Sequence, residues 1–410
     1  MLSPPLSTRS SFESLHSNTS SVFSSPDRLP PAVNGPMVWQ GEELDPSEYV
    51  ERLSEGEIRD VRAAIIKFKL TGLSRSDISP ETFDLGNAQL ASKLSSLSKR
   101  IHQGRGFVVL RGLDAAYFND EEAVIAFAGI CSYICPERAT DSYANQTLSH
   151  VLDATKKPVP IECRGIGLAG SKVTSAMDFH SDRFSGDVLA LYVRNDGGPN
   201  SGGEQFVVSF ARIYNELLET DPEALETLAE PNWPFELKQK NGATYLSYGP
   251  ILFFSSNGTP ICQLVKAPLL GTPSLPRATH LPSLNPQQLH ALDAVERLAR
   301  EYSHQLCRRQ GDIQLVHNLS VMHARSAYGS NSSSSSNDAR KSGTSSRSTQ
   351  NAQSSRHLLR MFLRDPACAW EKPRWAATSF DDPFEKGRPQ NLPVYDMDPW
   401  RIISGRESHG

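Results

Sequence analysis

The 410-residue chain predicts an α+β fold, a β core with helices around it. Three observations carry that prediction. Short runs rich in Val, Ile, Leu and Phe recur along the chain, bounded by Gly, Pro, Asn or Asp in the manner of strands. Between them lie stretches of helical period that open on Asp-Pro or Asn-Pro, an N-cap followed by proline at the first helical position. Third, the apolar segments are strand-sized or amphipathic, and none approaches the roughly 18 residues of a membrane-spanning helix.

The elements follow in order. Residues 1 to about 36 are dominated by Ser and Pro without apolar periodicity, so they cannot offset the entropy of ordering and read as a disordered tail, with residues 37–410 forming a single domain. A mitochondrial presequence competes for this segment, but Glu13 and Asp27 interrupt it and no Arg-rich amphipathic face forms. From DPSEYVERLSEGEIRDVRAAIIKF the period becomes helical, and Leu90, Leu94, Leu97 and Ile101 mark one face of a second helix. GRGFVVLRGL (104–113) is a buried strand, and EEAVIAFAGICSYI is another helix. Asp221-Pro222 opens the helix DPEALETLAE, and Asn285-Pro286 opens NPQQLHALDAVERLAREY. The strands GDVLALYVR, GGEQFVVSF, ATYLSYGPILFFSS, GDIQLVHNLSVMHAR and RHLLRMFLRD complete the β core. A Ser-rich stretch at about 329–355 separates the last two and reads as a disordered surface insertion.

Composition narrows the function classes. A formal charge of −4 gives no whole-chain attraction to nucleic acid or anionic membrane, and the N-terminus lacks the apolar core of a secretory signal. The expectation is a cytoplasmic protein with a small-molecule partner. Six cysteines without a CxxC pair match neither a disulfide framework nor a zinc site and read as mostly buried thiols.

Chemistry concentrates in FHSD. On a strand, His180 and Asp182 project to one side while Ser181 projects to the other, so an imidazole and a carboxylate can share a metal ion. Completed by a distant histidine they form the 2-His-1-carboxylate triad typical of non-haem Fe(II) oxygenases. Alone, HxD is a weak signal that occurs by chance. Spacing does not choose between His317 and His323 as the third ligand. Arg356 and Arg360, four apart on a strand, share a face, and an inward guanidinium suits a carboxylate held at two points; taken alone, pairing with acidic side chains or solvent explains them as well.

Taken together, the blocks VWQGEELDPSEYVERLSEGEI, GRGFVVLRGL, AMDFHSD, SGGEQ, IYNELL with PNWPF, NLSVMHAR and RHLLRMFLRD resemble the taurine dioxygenase (TauD/TfdA-like) branch of Fe(II)- and 2-oxoglutarate-dependent oxygenases, over about residues 37–372. The resemblance implies a double-stranded β-helix, the jelly-roll fold of clavaminate synthase-like enzymes, with flanking helices. It implies that His180, Asp182 and His323 are the iron ligands and that Arg356 binds the C5 carboxylate of 2-oxoglutarate. His317 then becomes an ordinary strand residue and Asn318 a supporting one. Arg360 falls where the family faces an anionic substrate group or braces the cosubstrate. Gln205 stands where the family offers a threonine hydroxyl, and its amide can donate a comparable bond at longer reach. The implied reaction consumes dioxygen and 2-oxoglutarate, releases succinate and carbon dioxide, and hydroxylates or desaturates a small organic substrate. Asp182 occupies the position a halogenase leaves open to halide. A catalytically silent jelly-roll binding protein is the alternative.

Overall fold

The computed structural model describes residues 29–396 except 142–145, 159–160, 162–167, 199, 239–243, 273–274 and 330–354. The Ser-rich insertion and the tail up to residue 28 therefore lie outside the described residues. Leu29–Pro36, expected to belong to the tail, instead packs on the protein. The Asn215 side chain accepts from Val33 N–H and donates to Val33 C=O, and Tyr214 donates its hydroxyl to Pro30 C=O. Leu29 and Val33 add apolar contact, and the prolines lower the entropy lost on docking.

The N-terminal half alternates helix and strand: α1 (Pro46–Tyr49), β1 (Val50–Arg52), α2 (Glu55–Thr71), α3 (Ala88–Gln103), β2 (Phe107–Arg111), α4 (Asp120–Ile134), β3 (Glu137–Arg138) and β4 (Ser149–Leu152). The continuous helical reading of DPSEYVERLSEGEI is thus broken. Asp45 and Ser54 each build a capping box, with Glu48 and Glu57 respectively, and between the two starts Val50–Arg52 pairs in parallel with Val109–Arg111. Next come β5 (Met177–His180), β6 (Val188–Asn195), β7 (Gln205–Ser209), α5 (Phe210–Thr220), α6 (Pro222–Ala229), the hairpin β8 (Trp233–Lys238) and β9 (Thr244–Gly249), and the pair β10 (Leu252–Phe254) and β11 (Pro260–Cys262). The run ATYLSYGPILFFSS therefore divides at Gly249-Pro250, since proline cannot donate to a ladder. The chain closes with α7 (Ala267–Leu270), β12 (Gly271–Thr272), β13 (Leu275–Pro276), α8 (Pro286–Tyr302), β14 (His304–Gln305), β15 (Asp312–His317), β16 (Val321–Arg325), β17 (His357–Arg364) and α9 (Ala377–Asp381).

Two sheets face each other. The larger runs β1-β2-β15-β6-β17-β3, with β4 also on β17, and the smaller runs β14-β7-β16-β5. GDIQLVHNLSVMHAR is consequently two strands in two sheets, turned by residues 318–320. Alternation on β15 shows how the layers are sealed. Ile313 and Leu315 face α2, α3 and α4 in one buried cluster, whereas Val316 faces Val207 of the small sheet in the interior, with Trp39, Phe107, Leu189, Leu306 and Phe362. The outer face of the small sheet is covered by α5, α6 and α8, through Phe210, Tyr214, Leu225, Leu228, Val295 and Leu298. Each such buried Leu, Val or Phe stabilises the fold by about 1.5–3 kcal/mol relative to exposure.

Among the described residues no helix is long and apolar enough to cross a membrane. Cys131, Cys135 and Cys262 are buried, and burial pushes their thiols up. Cys307 is exposed and Cys368 half-buried, so the buried-thiol expectation does not extend to them; Cys163 lies outside the described residues.

Candidate active site

His180 ends β5 directly across from His323 on β16, and the ladder slips just beyond this pair. The two rings are 4.2 Å apart at their centroids, and His323 Nε2 lies 3.4 Å from Asp182 Oδ2. One ligand atom from each of His180, Asp182 and His323 falls within 4.8 Å of the others, which makes them the His/Cys/Asp/Glu group with metal-holding geometry among the described residues. His180 Nδ1–H donates to Asp178 C=O at 2.7 Å, the role the carbonyl acceptor requires, so the Nε2 lone pair is left for a metal. Burial beside His323 pushes the pKa of His180 down to about 3, so its ring is neutral at ordinary pH. Two imidazoles and a carboxylate are the donor set for Fe(II).

Asp182 reaches this place by other means than strand alternation, because β5 stops at His180. Asn318, in the turn between β15 and β16, accepts from Asp182 N–H at 2.8 Å and donates to Asp182 C=O at 2.7 Å and Gly186 C=O at 2.9 Å. Ser181 points the opposite way, its hydroxyl on Cys262 C=O. Two residues on, Phe184 sits at φ 52° with its N–H on Gln263 Oε1. That left-handed conformation costs a bulky residue of the order of 1–3 kcal/mol, strain of the kind held beside functional sites.

His317 is excluded from the group. It is fully buried, its Nδ1 pairs with Ser320 Oγ at 2.7 Å, and its ring packs against His102 and Trp370.

His180, Asp182 and His323 open into a cavity of about 610 Å³, its mouth included, which Gln205, Arg356 and Arg360 also line. Arg356 is 2% exposed and lies over the Tyr328 ring at 4.9 Å. Burial, with Arg325 and Arg308 nearby, pushes its pKa down to about 9. An anion in the cavity relieves both effects. Arg360 donates from Nε to Ser149 Oγ at 3.1 Å, and no carboxylate among the described residues forms an ion pair with it. Arg364, on the same face, is spent on Asp187 and Asp381. The SGGEQ turn passes so close to Arg356 that a Cβ on Gly203, at φ 75°, would stand 2.7 Å from Arg356 Nε.

Residues missed by sequence reasoning include Tyr328 beneath Arg356 and Ser149 beneath Arg360, which carry no motif. Gln314, also on the cavity wall, was legible as a polar residue inside an apolar strand.

The family model for taurine catabolism dioxygenase TauD, TfdA family, matches residues 68–340. The chain belongs to that family. The match ends within the Ser-rich segment, so Arg356 and Arg360 lie beyond it. A taurine hydroxylase-like protein, SAT17, from Stachybotrys chartarum is 32% identical over 382 residues, 92% of either chain. FR-33289 synthase from Streptomyces rubellomurinus is 24% identical over 335 residues, 81% of this chain and 90% of its own. In fold, asparagine oxygenase solved with Fe(II), 2S,3S-3-hydroxyasparagine and succinate superposes with a TM-score of 0.54 at 14% identity, covering 78% of this chain and 98% of that one. The non-haem iron oxygenase OrfP with Fe and α-ketoglutaric acid gives 0.51 at 13% identity, over 77% and 93%. The two facing sheets are thus the double-stranded β-helix, and the protein is an Fe(II)/2-oxoglutarate-dependent dioxygenase. Nothing favours the catalytically silent alternative.

Proposed function

We propose that His180, Asp182 and His323 hold the Fe(II), with Arg356 and Gln205 receiving the C5 carboxylate of 2-oxoglutarate, in an enzyme that hydroxylates or desaturates a C–H bond of a small organic substrate. The convergence of the three donor atoms within 4.8 Å carries this reading. Dioxygen is the oxidant for C–H cleavage, and bound iron would activate it with two electrons from 2-oxoglutarate, which leaves as succinate and carbon dioxide. The protein's part is positioning. His180 and His323 offer imidazole nitrogens from facing strand positions, Asn318 fixes the backbone of Asp182, and the apolar walls Leu189, Leu191 and Val207 exclude water from the reacting centre. Arg356 meets a planar carboxylate with a planar fork.

Arg360 lies in the field of Asp182 and rests on Ser149, which supports a role facing the iron-proximal part of the cavity. It is positioned to recognise a carboxylate, sulfonate or sulfate on the substrate, in keeping with the name of the fungal relative. The test is oxygen-dependent conversion of 2-oxoglutarate to succinate by Fe(II)-loaded protein, screened against small anionic metabolites. Stimulation by an anionic compound is expected. Absence of succinate under every condition contradicts the assignment.

A further inference from the structure

Gln314 occupies the centre of β15, in the middle of the large sheet, and is 1% exposed. Its neighbours Ile313 and Leu315 face the helices, so its carboxamide faces the interior with Val316 and lines the same cavity as His180, Asp182 and His323. Both ends of the amide, Oε1 and Nε2, lie buried without a hydrogen-bond partner among the described residues. Burying such a group unpaired is destabilising, and a fold avoids that by placing Leu or Val there as it does on the adjoining strands. The register gives its direction. Gln314 pairs across the sheet with Leu191, and Leu191 with Arg360, so Gln314 and Arg360 stand on one row and one face, about 10 Å apart at the backbone and separated only by Leu191. A second amide, Gln205, looks into the cavity from the opposite sheet, its Oε1 likewise buried without a partner.

We infer that Gln314 is a cosubstrate-positioning residue whose Nε2–H donates to the C1 carboxylate of 2-oxoglutarate, the iron-proximal end not taken by Arg356, which would lie across Leu191 toward Arg360. The inference rests on the function proposed above. A neutral amide donor suits this place, because Arg325, Arg356 and Arg360 already supply positive charge to the cavity and a further cation would repel them. The amide fixes the orientation of the dicarboxylate along the floor of the cavity.

The test uses the full chain, anaerobically, with Fe(II) and 2-oxoglutarate as probe, reading the dissociation constant of 2-oxoglutarate from the visible charge-transfer band, together with the melting temperature of the metal-free protein. Gln314→Met keeps the length and removes the donor. It is expected to weaken 2-oxoglutarate by about 10-fold or more while leaving the melting temperature of the metal-free protein equal or higher, since the amide it replaces has no partner there. Gln314→Glu, which sets an anion against the cosubstrate, is expected to weaken it further. A dissociation constant within twofold of wild type for Gln314→Met, with or without a fall in melting temperature, overturns the inference and makes Gln314 a structural residue. Failure of the wild-type protein to show the band overturns the iron assignment itself, whereas a normal wild-type band with unchanged affinity in Gln314→Met overturns this inference alone.

Discussion

Asn318 makes three hydrogen bonds to backbone groups around Asp182 while fully buried, so its removal strands several polar groups at once. Asn318→Ala is expected to cost about 1–3 kcal/mol of stability and to lower iron affinity about 10–100-fold, read by thermal melting and by Fe(II) titration. Unchanged iron affinity would mean that Asp182 is held by its own chain. At Gly203 the expectation is narrower: Gly203→Ala pushes Arg356 aside and weakens 2-oxoglutarate, while Fe(II) binding stays intact. Equal loss of both would contradict the separate roles given to the turn and the triad. At this scale the sequence was half legible. FHSD and SGGEQ show in the chain because they are local, whereas spacing left His317 and His323 equal and only the family resemblance named His323; the physical reason is the register that sets His180 opposite His323, while His317 is buried against Trp370.

Elements with a start signal were read well, as Asn285 and Asp221 show, and elements whose breaks depend on tertiary pairing were not. Nothing local in GDIQLVHNLSVMHAR tells that its halves belong to facing sheets. The edge of β17 carries a prediction of its own. His150 Nε2–H donates to Pro393 C=O, so His150 Nδ1 accepts from His357 Nε2–H at 2.8 Å. A proton on either ring would set two N–H groups against each other or charge a buried pair. Burial and His150 accordingly hold His357 down to about 4, and burial holds His150 below its ordinary value. Because the unfolded chain binds these protons near pH 6.5 and the folded chain does not, this contribution to stability is complete above that pH and declines as pH falls toward 4, by at most about 1.4 kcal/mol per pH unit for one proton. His357→Gln should flatten the fall in melting temperature between pH 6.5 and 4. An unaltered pH profile would remove the pair from the account of acid sensitivity.

Across the whole molecule, the Fe(II)/2-oxoglutarate assignment depends on residues brought together from four distant segments, and one of them follows the Ser-rich stretch. Tyr328 and Arg356 meet on either side of that stretch, and Tyr328 also bridges to Gly202, so the strand ends are joined by contacts independent of residues 330–354. Replacing 330–354 with a short Gly/Ser linker is therefore expected to leave 2-oxoglutarate affinity within a few-fold, because loop-closure entropy changes slowly with length. The fold class was legible from strand and helix signals, but the two-sheet barrel only through the family resemblance, since strand order is a property of long-range pairing. The most direct test is anaerobic iron binding by the wild type, His323→Ala and His317→Ala, with 2-oxoglutarate present to report the visible band. One iron per chain with the band is predicted for the wild type and His317→Ala, and neither for His323→Ala; loss in His317→Ala with retention in His323→Ala would contradict it.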